Sequence, residues 1–393
     1  MRYECAVHTL STNGSREEGN VGCIRNTVVL ACLVALEGLT FACQRKSAGT
    51  PVEGAPRFIG RFVREADGAQ RFAWGMSTIE ARFEGTEAAL LLEDVETRQG
   101  ENMGNVYDVI VDDGPPKVVQ MHNGISRYPL GRFKSGEHTL SIIKRTEAWV
   151  GEARFRGLDL GPSGKLLPPP PERKRRLEFI GDSISAGYGN EGTSEKCPFS
   201  PQTENGDLAF GPMTARALEA DALVIAFSGK GVIRNRDGTT QEVLPEIYTR
   251  ALPHQPDSVW DFSKFVPDAV VVNLGTNDFA MSVPNADAFK SAYTKFLTSV
   301  RQNYPKAHIF VGIGPMLSEM YSDKQTPMLA IARADIQEVV ARRVASGDTL
   351  ITALEFPRQT GNRGYGCDWH PSLATHAEMA QQLTPLIKAT LGW

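Results

Sequence analysis

Five short apolar runs constrain the second half of this 393-residue chain more than any other feature: Leu177–Ile180, Ala222–Phe227, Ala269–Leu274, Ile309–Ile313 and Thr349–Leu354. Each has the length and the apolar continuity of a buried strand. Between several of them the period becomes helical: Phe289, Ala292, Tyr293, Phe296, Leu297 and Val300 recur at i, i+3 and i+4. Alanine-rich segments at 214–220 and 329–345 behave likewise, and the chain closes on a helical pattern carrying Leu373, Met379, Leu383, Leu386 and Ile387. Strand–helix alternation predicts a parallel sheet with helices on both faces. In such sheets chemistry gathers at the carboxyl ends of the strands.

The first half reads differently. Trp74–Phe83, Ala88–Leu92, Val106–Val111, Lys117–Met121, His138–Lys144 and Arg154–Leu160 carry β-branched, aromatic and alternating residues, with Asp112-Asp113-Gly114 as a turn between two of them. No helical period interrupts them, so residues 57–160 are expected to form an all-β, jelly-roll-like sandwich. Gly161-Pro162-Ser163-Gly164 and Pro168–Pro171 then predict a semi-rigid linker over 161–175, ahead of a domain spanning 176–393. The basic cluster Arg173–Arg176 reads as a solvated junction rather than a binding patch.

At the N-terminus, Thr27–Leu36 is apolar and Glu37 interrupts it, too short for the roughly 20 residues of a membrane span. With Arg25 before it and Ala42-Cys43 after it, this stretch reads as the core of a signal peptide within a leader over 1–43, followed by a linker over 44–56. A buried helix is the competing reading. The expectation is a secreted, periplasmic or cell-surface protein, touching a membrane only through a lipid anchor at Cys43 if that cysteine is modified. The 42 Lys and Arg against 46 Asp and Glu leave a net charge of −4, which excludes a dedicated nucleic-acid binder because no basic excess exists to neutralise phosphates. No CxxC or HExxH pattern occurs, so nothing supports a structural zinc or a zincin site. Cys197 follows the most informative motif of the chain and Cys367 lies within a few residues of that motif's expected partner, so the two are expected to be bridged.

Three strand ends hold those motifs. Leu177–Ile180 runs into Gly181-Asp182-Ser183, Ala269–Leu274 runs into Gly275-Thr276-Asn277-Asp278, and Gly366-Cys367-Asp368-Trp369-His370-Pro371 precedes the last helix. Acyl transfer needs a hydroxyl nucleophile, an imidazole to take its proton, a group to orient that imidazole, and preorganised donors for the oxyanion. These ends supply all four. The sequence here resembles the SGNH (GDSL-type) hydrolases: Phe179-Ile180-Gly181-Asp182-Ser183-Ile184-Ser185, then Phe227-Ser228-Gly229-Lys230-Gly231, then Gly275-Thr276-Asn277-Asp278, then Asp368-Trp369-His370. Within them it is similar to carbohydrate esterase family 2. A β-sandwich before the catalytic domain, Asp-x-His in place of Asp-x-x-His, and the segment Cys-Pro-Phe-Ser-Pro…Thr-Glu-Asn at 197–205 carry that similarity.

The resemblance implies a flavodoxin-like catalytic domain, no cofactor, and removal of acetyl groups from plant-type polysaccharides such as xylan or glucomannan. It implies Ser183 as nucleophile, His370 as general base and then acid, and an oxyanion hole of the Ser183 and Gly229 N–H groups with the Asn277 amide. Gly231 is the rival glycine. Asp368 is expected to orient the imidazole, since residues i and i+2 of extended backbone point the same way; a backbone carbonyl is the alternative. Trp369 either stacks on a sugar ring or packs. Gly187-Tyr188-Gly189-Asn190-Glu191-Gly192 fits G-x-G-x-x-G but begins too far past its strand for a dinucleotide site. A lipid esterase or thioesterase of the same fold, and a non-catalytic carbohydrate-binding protein, are the competing functions.

Overall fold

The computed structural model describes residues 54–95, 102–317 and 327–393. The leader, Cys43 and residues 44–53 of the expected linker lie outside the described residues.

The first nine strands are β1 (Arg57–Ile59), β2 (Phe62–Arg64), β3 (Gln70–Phe72), β4 (Thr78–Val95), β5 (Val106–Val111), β6 (Lys117–Gln120), β7 (Arg127–Lys144), β8 (Glu152–Asp159) and β9 (Lys165–Leu167). They form one antiparallel sheet in the order β2-β3-β8-β4-β7-β5-β6, with β1 and β9 both on β4. The early half of β4 carries β1 and β9 while its late half carries β8. Aromatic contacts show that the sheet folds over on itself. Phe72 of β3 meets Tyr107 of β5 with ring centroids 6.4 Å apart, and Phe58 of β1 meets Phe155 of β8 at 6.1 Å. Phe83, Leu90, Leu92, Leu140 and Ile142 fill the space between. The two layers of the sandwich are thus halves of one sheet.

The sequence divides β4 in two at the polar stretch Glu84–Glu87, but the strand runs through. Register shifts against β7 between Gly85 and Glu87 and between Ala88 and Ala89 absorb the bend that ended the alternation. The segment around Trp74 is a turn rather than a strand, and Trp74 packs into the core of the following domain. Asp112 and Asp113 have φ of 52° and 56°, the pair of positive angles that a type I′ hairpin turn requires. The proline-rich segment contributes β9, whose Lys165–Leu167 pair with Arg82–Glu84. Arg173, in the basic cluster, bonds Glu80 at 3.2 Å and Asp221 at 2.8 Å, so it ties the β-domain to the next one.

Residues beyond it form β10 (Arg175–Gly181), α1 (Ser183–Ala186), α2 (Phe210–Ala217), β11 (Ala220–Ala226), α3 (Leu244–Ile247), β12 (Ala269–Asn273), α4 (Ala286–Asn303), β13 (His308–Ile313), α5 (Met328–Ala345), β14 (Ile351–Glu355) and α6 (Leu373–Leu391). The five strands are parallel in the order β11-β10-β12-β13-β14, the flavodoxin-like arrangement. Alternate residues take opposite faces. Ile180, Ile225, Val270, Val272, Ile309 and Val311 pack with α4 and α5, whereas Phe179, Val224, Val271 and Phe310 pack with α2 and α6. Covering both faces is what makes the five runs apolar throughout. The alanine-rich 214–220 stretch is not one helix, because α2 ends at Ala217 and β11 starts at Ala220.

The domains share a core. Ile59, Trp74 and Ala148 of the β-domain belong to the same buried cluster as Ile180, Val270 and Phe296. Arg61, fully buried, reaches across to donate to the carbonyl of Arg250 at 2.9 Å and to Glu178 Oε1 at 3.4 Å. Its guanidinium lies 5.1–5.3 Å from the rings of Tyr248, Trp260 and Phe262. A second crossing is made by residues 145–151, which leave β7 against the start of β4 and enter β8 against the end of β4.

Candidate active site

Ser183 stands directly beyond β10, at the point where the strand order reverses between β10 and β12, the usual place for a ligand in an open parallel sheet. Asp182 caps the short turn that presents it, accepting from the Ile184 N–H at 3.0 Å. Burial pushes the Asp182 carboxyl up to about 7, with Asp278 and Glu147 adding to the effect. Asp278 accepts from the N–H groups of Val232, Ile233 and Arg234 at 2.8–3.2 Å, which fixes the loop after β11, and burial raises it to about 6.

The Ser183 Oγ lies 2.9 Å from His370 Nε2, although 187 positions separate them in the chain. On the other side of the ring, Nδ1 sits 3.1 Å from each of two main-chain carbonyls, those of Cys367 and Asp368. Two acceptors there hold the proton on Nδ1, leaving the Nε2 lone pair facing the serine hydroxyl. Burial pulls the imidazole down to about 4 against the raising effect of those carbonyls.

Asp368 does not meet the ring with its carboxylate, which corrects the role expected of it. Its backbone is left-handed, with φ 51° and ψ 43°, so the same-side rule for extended residues does not apply. The carboxylate instead accepts from the Tyr188 hydroxyl at 2.9 Å. Tyr188 lies against the imidazole, ring centroids 4.2 Å apart, and against Phe199 at 4.5 Å.

Trp369 also has positive φ, 58°, and stands 56% exposed at the rim. Consecutive left-handed residues other than glycine are costly and need support. Support comes from the Cys197–Cys367 disulfide, from the Cys367 N–H donating to the Gly189 carbonyl at 2.9 Å, and from Gln359 donating to the Trp369 carbonyl at 2.7 Å. The G-x-G-x-x-G glycines have their use here. A Cβ at Gly192 would lie 2.5 Å from the Cys367 sulfur and 2.6 Å from that of Cys197, and one at Gly189 would lie 2.7 Å from the Cys367 Cβ. They let the histidine turn approach closely.

Donors surround the serine. The Ser183 N–H is the first of a helix and has no intrahelical acceptor. Gly229, at φ 80°, borders the cleft, and among the described residues its N–H has no protein acceptor. Gly231 does not border the cleft, and its N–H faces Asn235 Oδ1 at 3.5 Å. The Asn277 amide nitrogen is 2.9 Å from the Lys230 carbonyl and 3.3 Å from Asp182 Oδ2, so it links the serine turn to the Gly229 loop.

The cleft has a volume of about 900 Å³, bordered by Trp149, Tyr188, Arg236, Phe279, Met316 and Trp369 besides the residues above. Sequence reasoning missed Tyr188, Trp149 and Glu147. Tyr188 lies inside the G-x-G-x-x-G stretch whose spacing argues against a dinucleotide site. Trp149 and Glu147 occupy the connection between two expected strands, where an aromatic beside a carboxylate was the available signal.

Residues 58–170 match the family model described as Carbohydrate esterase 2 N-terminal, and residues 179–378 match that of the GDSL-like Lipase/Acylhydrolase family. The chain is 42% identical over 347 residues to the Cellulase/esterase CelE of Acetivibrio thermocellus, an alignment that covers 88% of this chain but only 41% of that protein's length. It is 31% identical over 314 residues to an Acetylxylan esterase / glucomannan deacetylase of Cellvibrio japonicus, covering 77% and 80% of the two chains. A solved family two carbohydrate esterase from Clostridium thermocellum, in complex with cellohexaose, superposes with a TM-score of 0.79 at 41% identity, over 86% of this chain and 100% of that one. On these matches the chain belongs to family 2 of the carbohydrate esterases, carboxylic ester hydrolases of the GDSL type.

Proposed function

We propose that the protein removes O-acetyl groups from polysaccharides of the xylan or glucomannan type through an acetyl-enzyme on Ser183. The observation that carries this reading is the 2.9 Å contact between Ser183 Oγ and His370 Nε2 at the floor of an open cleft, with unpaired N–H donors beside it. Ser183 Oγ attacks the acetyl carbonyl carbon while its proton passes to Nε2. The carbonyl oxygen gains the negative charge, and the N–H groups of Ser183 and Gly229 stabilise it, joined by the Asn277 amide as its longer bond, to Asp182 at 3.3 Å, gives way. As the C–O bond to the sugar breaks, His370 returns the proton to the departing hydroxyl. Water then repeats the sequence on the acetyl-enzyme, releasing acetate. The main-chain carbonyls at Nδ1 stabilise the imidazolium in the place where a carboxylate was expected.

An exposed tryptophan at the rim and a second one, Trp149, on the β-domain side suit the flat apolar faces of sugar rings better than an acyl chain. A polymer substrate requires export, and the Cys197–Cys367 disulfide fits an oxidising compartment. The test is acetate release from acetylated xylan, glucomannan and simple acetyl sugars, beside acetyl and octanoyl nitrophenyl esters. Ser183→Ala should abolish release. A strong preference for octanoyl would favour a lipid esterase, and polysaccharide binding without acetate release would favour a binding protein.

A further inference from the structure

The β-domain reaches the cleft through the connection from Arg145 to Gly151. Within it Glu147 is fully buried. Its Oε2 accepts from the Ser228 N–H at 2.6 Å, and its Oε1 accepts from the Ser228 hydroxyl. Ser228 immediately precedes Gly229. We propose that Glu147 is a positioning residue for the oxyanion hole: by clamping both donors of Ser228, the β-domain sets the direction in which the Gly229 N–H points.

Holding the Ser228 nitrogen and hydroxyl fixes the position and orientation of its Cα, the point from which the next peptide plane extends. That plane carries the Gly229 N–H. Its other neighbour is fixed as well, since the Arg236 N–H donates to the Gly229 carbonyl at 2.8 Å. Glycine at φ 80° has no side chain to restrain the plane, so the restraint comes from outside.

Glu147 is itself held on three sides. Its N–H donates to Glu204 Oε2 at 3.0 Å, its carbonyl accepts from Lys144 Nζ at 3.1 Å, and the adjacent Ala148 carbonyl accepts from His254 at 3.3 Å. Burial raises both the Glu147 and Glu204 carboxyls, and Lys144 is the cation that faces them. Both Glu147 oxygens are engaged as acceptors from Ser228, the arrangement an ionised carboxylate makes. Enclosing such a group stabilises the fold weakly at best, whereas a donor held in register before the reaction begins contributes to the rate.

Resting on the acyl-transfer reading, the inference is tested in the full chain with Glu147→Gln, Ser228→Ala and the double variant. Four quantities are read: kcat and KM for an acetyl ester, the fraction of titratable serine, the affinity for phenylboronic acid, which forms a tetrahedral adduct on the nucleophile, and the thermal midpoint. Glu147→Gln should lower kcat about 10–100-fold, short of the 10²–10³ for deleting a donor. KM should stay within about twofold, boronate affinity should weaken by a factor like that in kcat, and the midpoint and titratable fraction should match the parent. Ser228→Ala should lose less, and the double variant should be no worse than Glu147→Gln alone.

A folded Glu147→Gln protein with full kcat overturns the inference. So does a loss matched by missing titratable serine. If Glu147 variants do not fold, Ser228→Ala decides: parental kcat and boronate affinity overturn it, a shared decline supports it. A parent that neither releases acetate nor binds boronate overturns the acyl-transfer reading itself, while an active parent with unaffected variants removes only this inference.

Discussion

Two polar side chains of the β-domain are buried in the domain that follows, Arg61 among residues that do not border the cleft and Glu147 against Ser228, which does. Arg61 enters a cage whose partners are all structural: the carbonyl of Arg250, the Glu178 carboxyl and the faces of Tyr248, Trp260 and Phe262. Burial raises that Glu178 carboxyl to about 7, with Arg61 opposing the rise. Glu147 is hydrogen-bonded too, but its partner is the residue before an oxyanion donor. One seam therefore holds an anchor and a positioning contact. What separates them is the neighbour of the partner, since both side chains are equally buried.

Removing Arg61 should cost the fold most and the chemistry least. Arg61→Ala leaves Glu178 without its counter-charge, and removing one member of a buried pair costs about 3–5 kcal/mol. Urea unfolding should show that loss, while kcat per folded molecule stays at the parental value; a selective fall in kcat would make Arg61 a positioning residue as well.

The pH profile separates the two contacts further. The neutral imidazole is the base, so protonation removes activity as pH falls. The groups facing the ring are Ser183, Tyr188, Asp368 and Arg236, and burial is the largest influence on it. The acid limb of kcat/KM should therefore lie near about pH 4 rather than 6.5. Glu147→Gln should lower the plateau without moving that limb, because its carboxylate touches the oxyanion loop and not the ring. A limb near 6.5 in the parent would mean that the ring is open to water.

Asp368 should show the smallest effect. It lies two residues from His370, yet its carboxylate serves Tyr188, so Asp368→Asn should change kcat less than about threefold. A loss beyond a hundredfold would give that carboxylate the role of orienting the imidazole.

What was legible in the sequence follows from how locally each feature is encoded. The five parallel strands and the turns bearing Ser183, Asn277 and His370 were readable because an apolar run and the residues after it lie within one window. The bend in β4 was not, since a register shift against β7 is a property of two strands. β9 was hidden because proline composition describes a spacer and is silent about an edge that accepts three residues. Asp368 misled because Asp-x-His says nothing of φ, and the left-handed turn depends on a disulfide and glycines some 170 positions away. Glu147 belongs to the same class, its meaning residing in Ser228, 81 residues later.

The crossing at 145–151 has a consequence for how this β-domain can vary. It leaves one layer of the folded sheet and enters the other, so its two feet are pinned in separate ladders. Beyond Asp112, which is bonded to Thr139, the turn between β5 and β6 borders no part of the cleft, and an added residue there makes only a longer tip. An added residue between the two feet would carry the carboxylate past its serine, since the ladders cannot slip by one position without turning their apolar faces outward. Chain length is free to drift at one rim of the sandwich and is locked at the other.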